Sequence, residues 1–141
     1  MSVRIVTDST CDLPEEITDQ QSITVIPLNI NVGDHTFLDG VDLTRNEFYT
    51  QLPNYSPSPK TAAPGPDVFT KVFNRLADEG AQAILSIHIS ETLSATINSA
   101  RIAALQFTLR EAVVQIALNI ERRHVGIIRV VEPGLRTVLQ F

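Results

Sequence analysis

The feature that most constrains this chain is an aliphatic run, Ala83-Ile-Leu-Ser-Ile-His-Ile89, that passes directly into Ser90-Glu-Thr-Leu-Ser-Ala-Thr-Ile-Asn-Ser-Ala100. The first part predicts a buried strand; beyond it Leu93, Ile97, Ala100 and Ala104 recur at helical spacing. A strand feeding a helix predicts an α/β fold, with a mainly parallel sheet flanked by helices. Where a helix starts at the carboxyl end of a strand, its unpaired N–H groups and the positive end of its dipole face the crevice above the sheet. Ser90, Thr92, Ser94 and Thr96 add hydroxyls at that end, so a carboxylate or phosphate finds donors without a lysine or arginine. Ser90 is equally well placed as a plain helix N-cap, which needs no ligand.

Earlier in the chain, Val3-Arg-Ile-Val-Thr7 predicts a strand that ends at Asp8-Ser-Thr-Cys-Asp12. Asp8, Ser9 and Thr10 then fall on the loop at its carboxyl end, where ligands bind in open α/β sheets. Asp12 and Glu15 with Pro14 between them predict a capping box, opening a helix that turns Ile17 to the core. Ser22 to Val32 predicts an extended segment with Pro27 at an edge or bend, and Gly33-Asp34 a hairpin turn into the strand His35 to Leu38. Asp42 or Thr44 caps a short helix through Leu52, with Phe48 and Leu52 on its inner side. Prolines at 53, 57, 59, 64 and 66 hold an extended loop around Pro59-Lys-Thr-Ala-Ala-Pro64. Gly65-Pro66 opens the next helix, whose apolar face is Phe69, Val72, Phe73 and Leu76 and which Gly80 ends.

Charge and composition remove several classes of function. A net charge of −5 and a pI near 5.1 argue against nucleic acid and anionic membrane surfaces. No apolar run has the length of a signal peptide or a membrane span, so a cytoplasmic location is expected. Cys11 is the sole cysteine, which leaves no internal disulfide and no cysteine-based metal site. There is no GxGxxG, no P-loop and no cluster of metal-ligand residues, so neither cofactor nor metal is expected. Of the histidines, His88 is expected as a satisfied core residue, with a minor binding role left open by its nearness to Ser90, His35 on the hairpin surface, and His124 as a charge at a helix C-terminus.

Four segments together, Ile5-Val-Thr-Asp-Ser-Thr-Cys-Asp-Leu-Pro14, Leu38-Asp-Gly-Val-Asp-Leu-Thr-Arg-Asn-Glu-Phe-Tyr49, Pro59-Lys-Thr-Ala-Ala-Pro64 and Ile89-Ser-Glu-Thr-Leu-Ser-Ala-Thr-Ile-Asn-Ser-Ala100, resemble the DegV family of bacterial fatty-acid-binding proteins. The resemblance implies a two-lobed α/β protein enclosing one long-chain fatty acid, with hydroxyls holding the carboxylate near the lobe interface. It also implies a carrier that does no chemistry itself, in some members presenting the acid to a separate fatty acid kinase subunit. On this chain the family's loop threonine corresponds to Thr61 and the serine of its helix start to Ser94. Asp8, Ser9, Thr10, Ser90 and Thr96 fall around the same crevice. Ala62 and Ala63 stand where the family often has serine and glutamine, and Ala95 where it has glycine, so affinity or chain selectivity is expected to differ.

The resemblance divides the chain into a DegV-like N-terminal lobe, 1–104, and a divergent tail, 105–141, standing where a second lobe is expected. Composition shifts in step. Residues 1–106 carry 6 basic and 13 acidic side chains, net −7, whereas 107–141 carry 5 and 3, net +2. The tail predicts that the helix begun near Thr92 continues, or restarts at about Thr108, with Val113, Ile116, Leu118 and Ile120 on it, followed by strands from Val125 to Val131 and Leu135 to Phe141. It reads as a truncated or frame-altered replacement of the second lobe, leaving an apolar face prone to association. Two competing readings follow. One is a fragment that holds no ligand; the other is an enzyme for a phosphorylated or carboxylated metabolite, with Asp8 as acid or base beside Ser9.

Overall fold

The computed structural model describes residues 2–107, 112–119 and 124–130, the last two stretches as strand backbone. Two sheets are present among them. The larger runs β2-β1-β6-β7-β8, formed by β1 Val3–Asp8, β2 Ile23–Ile26, β6 Ala83–Ile89, β7 Ala112–Asn119 and β8 His124–Val130. Its first four strands are parallel and β8 closes the edge antiparallel to β7. The smaller sheet runs β4-β3-β5, all antiparallel, from β3 Asn29–Val32, β4 His35–Leu38 and β5 Lys60–Ala62. The helices are α1 Glu15–Gln20, α2 Arg45–Gln51, α3 Pro66–Asp78 and α4 Thr96–Gln106. No helix among the described residues is long and apolar enough to cross a membrane.

The predicted α/β fold with a parallel sheet is the observed one, and several local expectations hold. Gly65 precedes α3 with Pro66 in its first turn, and Gly80, at φ +87°, follows its C-cap in a conformation that costs glycine least. Phe69, Phe73 and Leu76 are buried together with Val6, Ile26, Ile84, Ala100 and Ala103, forming one core between α3, α4 and one face of the large sheet. Burying each large apolar side chain of this kind contributes about 1.5–3 kcal/mol. Thr44 and Glu47 make the reciprocal capping box of α2. The 22–32 segment breaks at Pro27, as a residue without an N–H demands, and its halves β2 and β3 enter different sheets. Gly33 turns the β3–β4 hairpin at φ +57°.

Other expectations are corrected. Asp12 does not cap α1: it takes a left-handed conformation, and Pro14 occupies the cap position with no side-chain hydrogen bond. Ile17 is 41% exposed and Thr18 is the buried residue of α1, since this short helix packs chiefly against β2. In α2 no residue is buried, and Leu52 is exposed. The 53–66 stretch is not wholly extended loop; it holds a single helical turn at Leu52–Asn54 and the strand β5. The expected helix from Thr108 is a strand over Ala112–Asn119. A largely apolar run suits a central strand as well as a helix, and β-branched Val113, Val114 and Ile116 favour the strand that pairs along β6. His124 accordingly opens β8 opposite Asn119 rather than ending a helix. The strand expected at 135–141 lies outside the described residues.

Candidate functional site

Strand β6 has two unlike faces. Ile84, Ser86 and His88 are buried on the side of α3, where the edge of one ring meets the face of the other between Phe69 and His88, centroids 5.2 Å apart. Leu85, Ile87 and Ile89 point to the opposite face and stay half-buried. On that face a cavity of about 460 Å³ is walled by Ile5 and Thr7 of β1, Ile23 of β2 and Ile87 and Ile89 of β6, with Leu13 and Leu93 at its sides. Thr10, Cys11 and Ser90 add to the lining from the loops that follow β1 and β6, and His88, whose side chain is itself buried, also borders it. The size falls in the range of small-molecule sites, roughly 300–1,000 Å³, and the mostly aliphatic wall suits an apolar ligand body.

The two loops are shaped by their own hydroxyls. After β6, Ser90 does not cap the helix. Its carbonyl accepts the N–H groups of Leu93 and Ser94, and its Oγ accepts the Thr92 N–H at 3.3 Å, making a separate turn. The helix starts six residues later at Thr96, whose N–H donates to Ser94 Oγ at 3.3 Å and whose Oγ1 lies 2.9 Å from that oxygen. Leu93 is therefore outside the helix and 60% exposed, while Ile97, Ala100 and Ala104 face the core as expected. After β1, Asp8 caps a single turn at Ser9–Cys11. Its carboxylate is 1% exposed and takes four hydrogen bonds. Oδ1 accepts from Thr10 N at 3.0 Å and Thr10 Oγ1 at 2.5 Å, and Oδ2 accepts from His88 Nδ1 at 2.9 Å and Ile89 N at 3.2 Å. Burial by itself raises the Asp8 pKa. The His88 and Thr10 hydrogen bonds, the electrostatic attraction between the carboxylate and His88, and the Ile89 N–H outweigh it, holding the carboxyl below its ordinary 3.8.

The candidate residues thus separate by task. Thr10 and Ser90 line the cavity. Ser9 is buried; its Oγ accepts the Leu28 N–H at 3.1 Å and its carbonyl accepts from Arg45 Nη2 at 2.7 Å, so it fastens the first turn to the crossing between the two sheets. Thr96 is fully buried in the start of α4. Ser94 is half-buried beside it, and Thr61 is exposed on β5 opposite Ile30. Among the described residues no hydrogen bond joins Thr61 to Ser94, and neither lines the cavity. His88 was expected as a satisfied core residue and is one, but its pairing with Asp8 carries no sequence signal across 80 positions. The one available clue is parity, since residues 84, 86 and 88 share a face of a strand.

A second, more polar crevice of about 530 Å³ lies between α1, the end of β2 and the turn before α2. Glu15, Asp19 and Asp39 line it beside Arg45, whose guanidinium is already paired with Asp12 and the Ser9 carbonyl. An excess of negative charge disfavours an anion there, which leaves the apolar cavity as the better place for an acid with a hydrocarbon tail.

Known proteins agree on the kind of fold. A family model described as "Uncharacterised protein, DegV family" matches residues 2–122. A DegV domain-containing protein of Clostridium perfringens is 34% identical over 118 residues, 84% of this chain and 42% of the relative. One from Deinococcus radiodurans is 38% identical over 114 residues, 81% of this chain and 40% of the relative. Among solved structures, a DegV family protein from Thermus thermophilus described as binding fatty acid superposes with a TM-score of 0.70 at 36% identity, covering 82% of this chain and 41% of that one. A stearic acid-binding protein from Eubacterium ventriosum does so with a TM-score of 0.70 at 27% identity, covering 84% and 41%. The chain spans about two fifths of the length of these relatives.

Proposed function

The chain belongs to the DegV family, and from that premise we propose that it binds a long-chain fatty acid by its carboxylate without catalysing a reaction on it. The observation that carries the reading is the cavity on the open face of the sheet, aliphatic along its length and edged by the hydroxyl-bearing loops after β1 and β6. A fatty acid asks for that pairing, since its tail gains about 0.8 kcal/mol for each CH₂ removed from water and its head needs a few donors. The acyl tail lies along Ile5, Ile87 and Leu93. Ser94 and Thr61, which stand outside the aliphatic wall, donate their hydroxyls to the carboxylate. Such donors bring no second charge to desolvate.

The enzyme reading loses its acid. All the Asp8 hydrogen bonds named above go to the protein's own groups, and Ser9 Oγ is held by Leu28. A role as the cytoplasmic carrier of a fatty acid kinase, handing the acid to a separate subunit, follows from the family resemblance and is the finer part of the proposal.

Extraction of the purified chain followed by mass spectrometry, and titration of the delipidated chain with cis-parinaric acid, test the reading. A co-purified acyl species and saturable fluorescence are expected. Thr61→Ala or Ser94→Ala removes a hydrogen bond to a charged group, about 1.5–3 kcal/mol, or roughly ten- to hundredfold in affinity. Recovery of no acyl chain together with no fluorescence response would favour a fragment that holds no ligand.

A further inference from the structure

We propose that Asp8, locked in place by His88 and Ser86, is a positioning residue that sets the spacing between the two loops of the ligand crevice. β1 and β6 are neighbours in the sheet, so the loops that follow them leave the same edge side by side. One carboxylate spans both. Oδ1 holds the β1 loop through the backbone and side chain of Thr10, while Oδ2 holds the end of β6 through the Ile89 N–H. Thr10 and Ser90, which these contacts position, both line the cavity. The distance between them is thereby fixed before a ligand arrives, which lowers the ordering cost of binding.

The carboxylate is itself held. With its ring proton on Nδ1, His88 donates to Asp8 Oδ2 at 2.9 Å and Nε2 is left to accept from Ser86 Oγ at 2.6 Å. The Phe69 ring contact flanks the imidazole, so the ring cannot turn without breaking both hydrogen bonds. The connectivity is that of a serine nucleophile with its base and orienting acid. Yet Ser86 is 0% exposed and does not line the cavity, so no substrate reaches it. The chain of hydrogen bonds acts through Asp8 on the loops and is not a catalytic one.

Asparagine at position 8 separates this role from simple packing. It keeps the shape but offers one acceptor oxygen and an NH₂ group, so either the Thr10 or the Ile89 N–H must lose its acceptor. Amide hydrogen exchange on the full chain is expected to show Thr10 or Ile89 exchanging at least tenfold faster in Asp8→Asn, with Val6 and Ile84 in the core unchanged. The affinity for cis-parinaric acid is expected to fall at least tenfold. His88→Asn, whose side-chain amide can replace the ring N–H, is expected to retain more affinity and more protection than His88→Ala, and this pair carries the comparison if Asp8→Asn does not fold. Wild-type protection at both amides in Asp8→Asn, or equal behaviour of the two His88 variants, would overturn the proposal, as would released amides with undiminished affinity. The affinity arm rests on the fatty-acid reading. A wild-type chain without affinity would sink that reading, and amide exchange would then decide the clamp by itself.

Discussion

The two faces of β6 invert the usual assignment of polar and apolar residues. The closed face, under α3, carries a serine and a histidine beside Ile84, while the open face carries Leu85, Ile87 and Ile89. A polar group is tolerated on the closed side only because each of its atoms has a partner: Ser86, His88 and Asp8 satisfy one another, and the remaining carboxylate capacity goes to Thr10 and Ile89. Apolar residues on the open side have no such internal explanation. On the proposed reading, stability is concentrated on one face and binding on the other, and substitutions on each should report different properties.

The largest effect is expected from removing the cover of the closed face. Phe69→Ala deletes a fully buried ring that packs on Phe73 and on the His88 imidazole, and should cost about 3–5 kcal/mol in urea denaturation. A loss below 1 kcal/mol would mean that the closed face is not the seat of stability. Next is Ser86→Ala, which removes no apolar contact of consequence but leaves His88 Nε2 buried without a donor. A cost of about 1–3 kcal/mol is expected.

Acid sharpens the same contrast. The Asp8 pKa in the folded chain lies below 3.8, its unfolded reference, so the stabilisation its charge provides is fully present above that reference. It is lost as pH falls through the lower folded value. The stability difference between the wild type and Asp8→Asn should therefore be constant near neutral pH and shrink below about pH 4. A difference that is unchanged down to pH 2 would show that the charge of Asp8 contributes nothing to folding.

Much of the fold was legible because it is local. The span of α3 follows from Gly65-Pro66, the recurrence of Phe69, Phe73 and Leu76, and Gly80. The turn at Gly33 and the break at Pro27 follow from backbone chemistry at single residues. What failed to show depends on neighbours that are distant in sequence. Whether Ala112–Asn119 is strand or helix is decided by the free hydrogen-bonding edge of β6 beside it. Ile17 lost its expected burial because α1 packs chiefly against β2. In the candidate site, the hydroxyl-rich loops were readable as a class. The division between Thr10 and Ser90 on the cavity wall and Ser9, Thr96 and Asp8 in supporting roles was not, because hydroxyls that cap a turn and hydroxyls that face a ligand look alike in sequence.

The smallest change in stability should accompany a large change in binding, and Leu93→Ser is the variant that separates the two. Leu93 sits in the turn between β6 and α4, 60% exposed, at the side of the cavity. Its backbone N–H donates to the Ser90 carbonyl, a bond that serine retains. With little burial to lose and no helix to break, folding stability should move by less than about 0.5 kcal/mol. Yet a tail that lies on this side chain loses cover over two or three carbons, at about 0.8 kcal/mol each, and cis-parinaric acid affinity should fall roughly ten- to fiftyfold. Unchanged affinity in a stably folded Leu93→Ser would place the acyl tail elsewhere and leave the open face of β6 without its assigned use. A loss of stability approaching that of Phe69→Ala would instead erase the distinction between the faces, since both would then belong to one core.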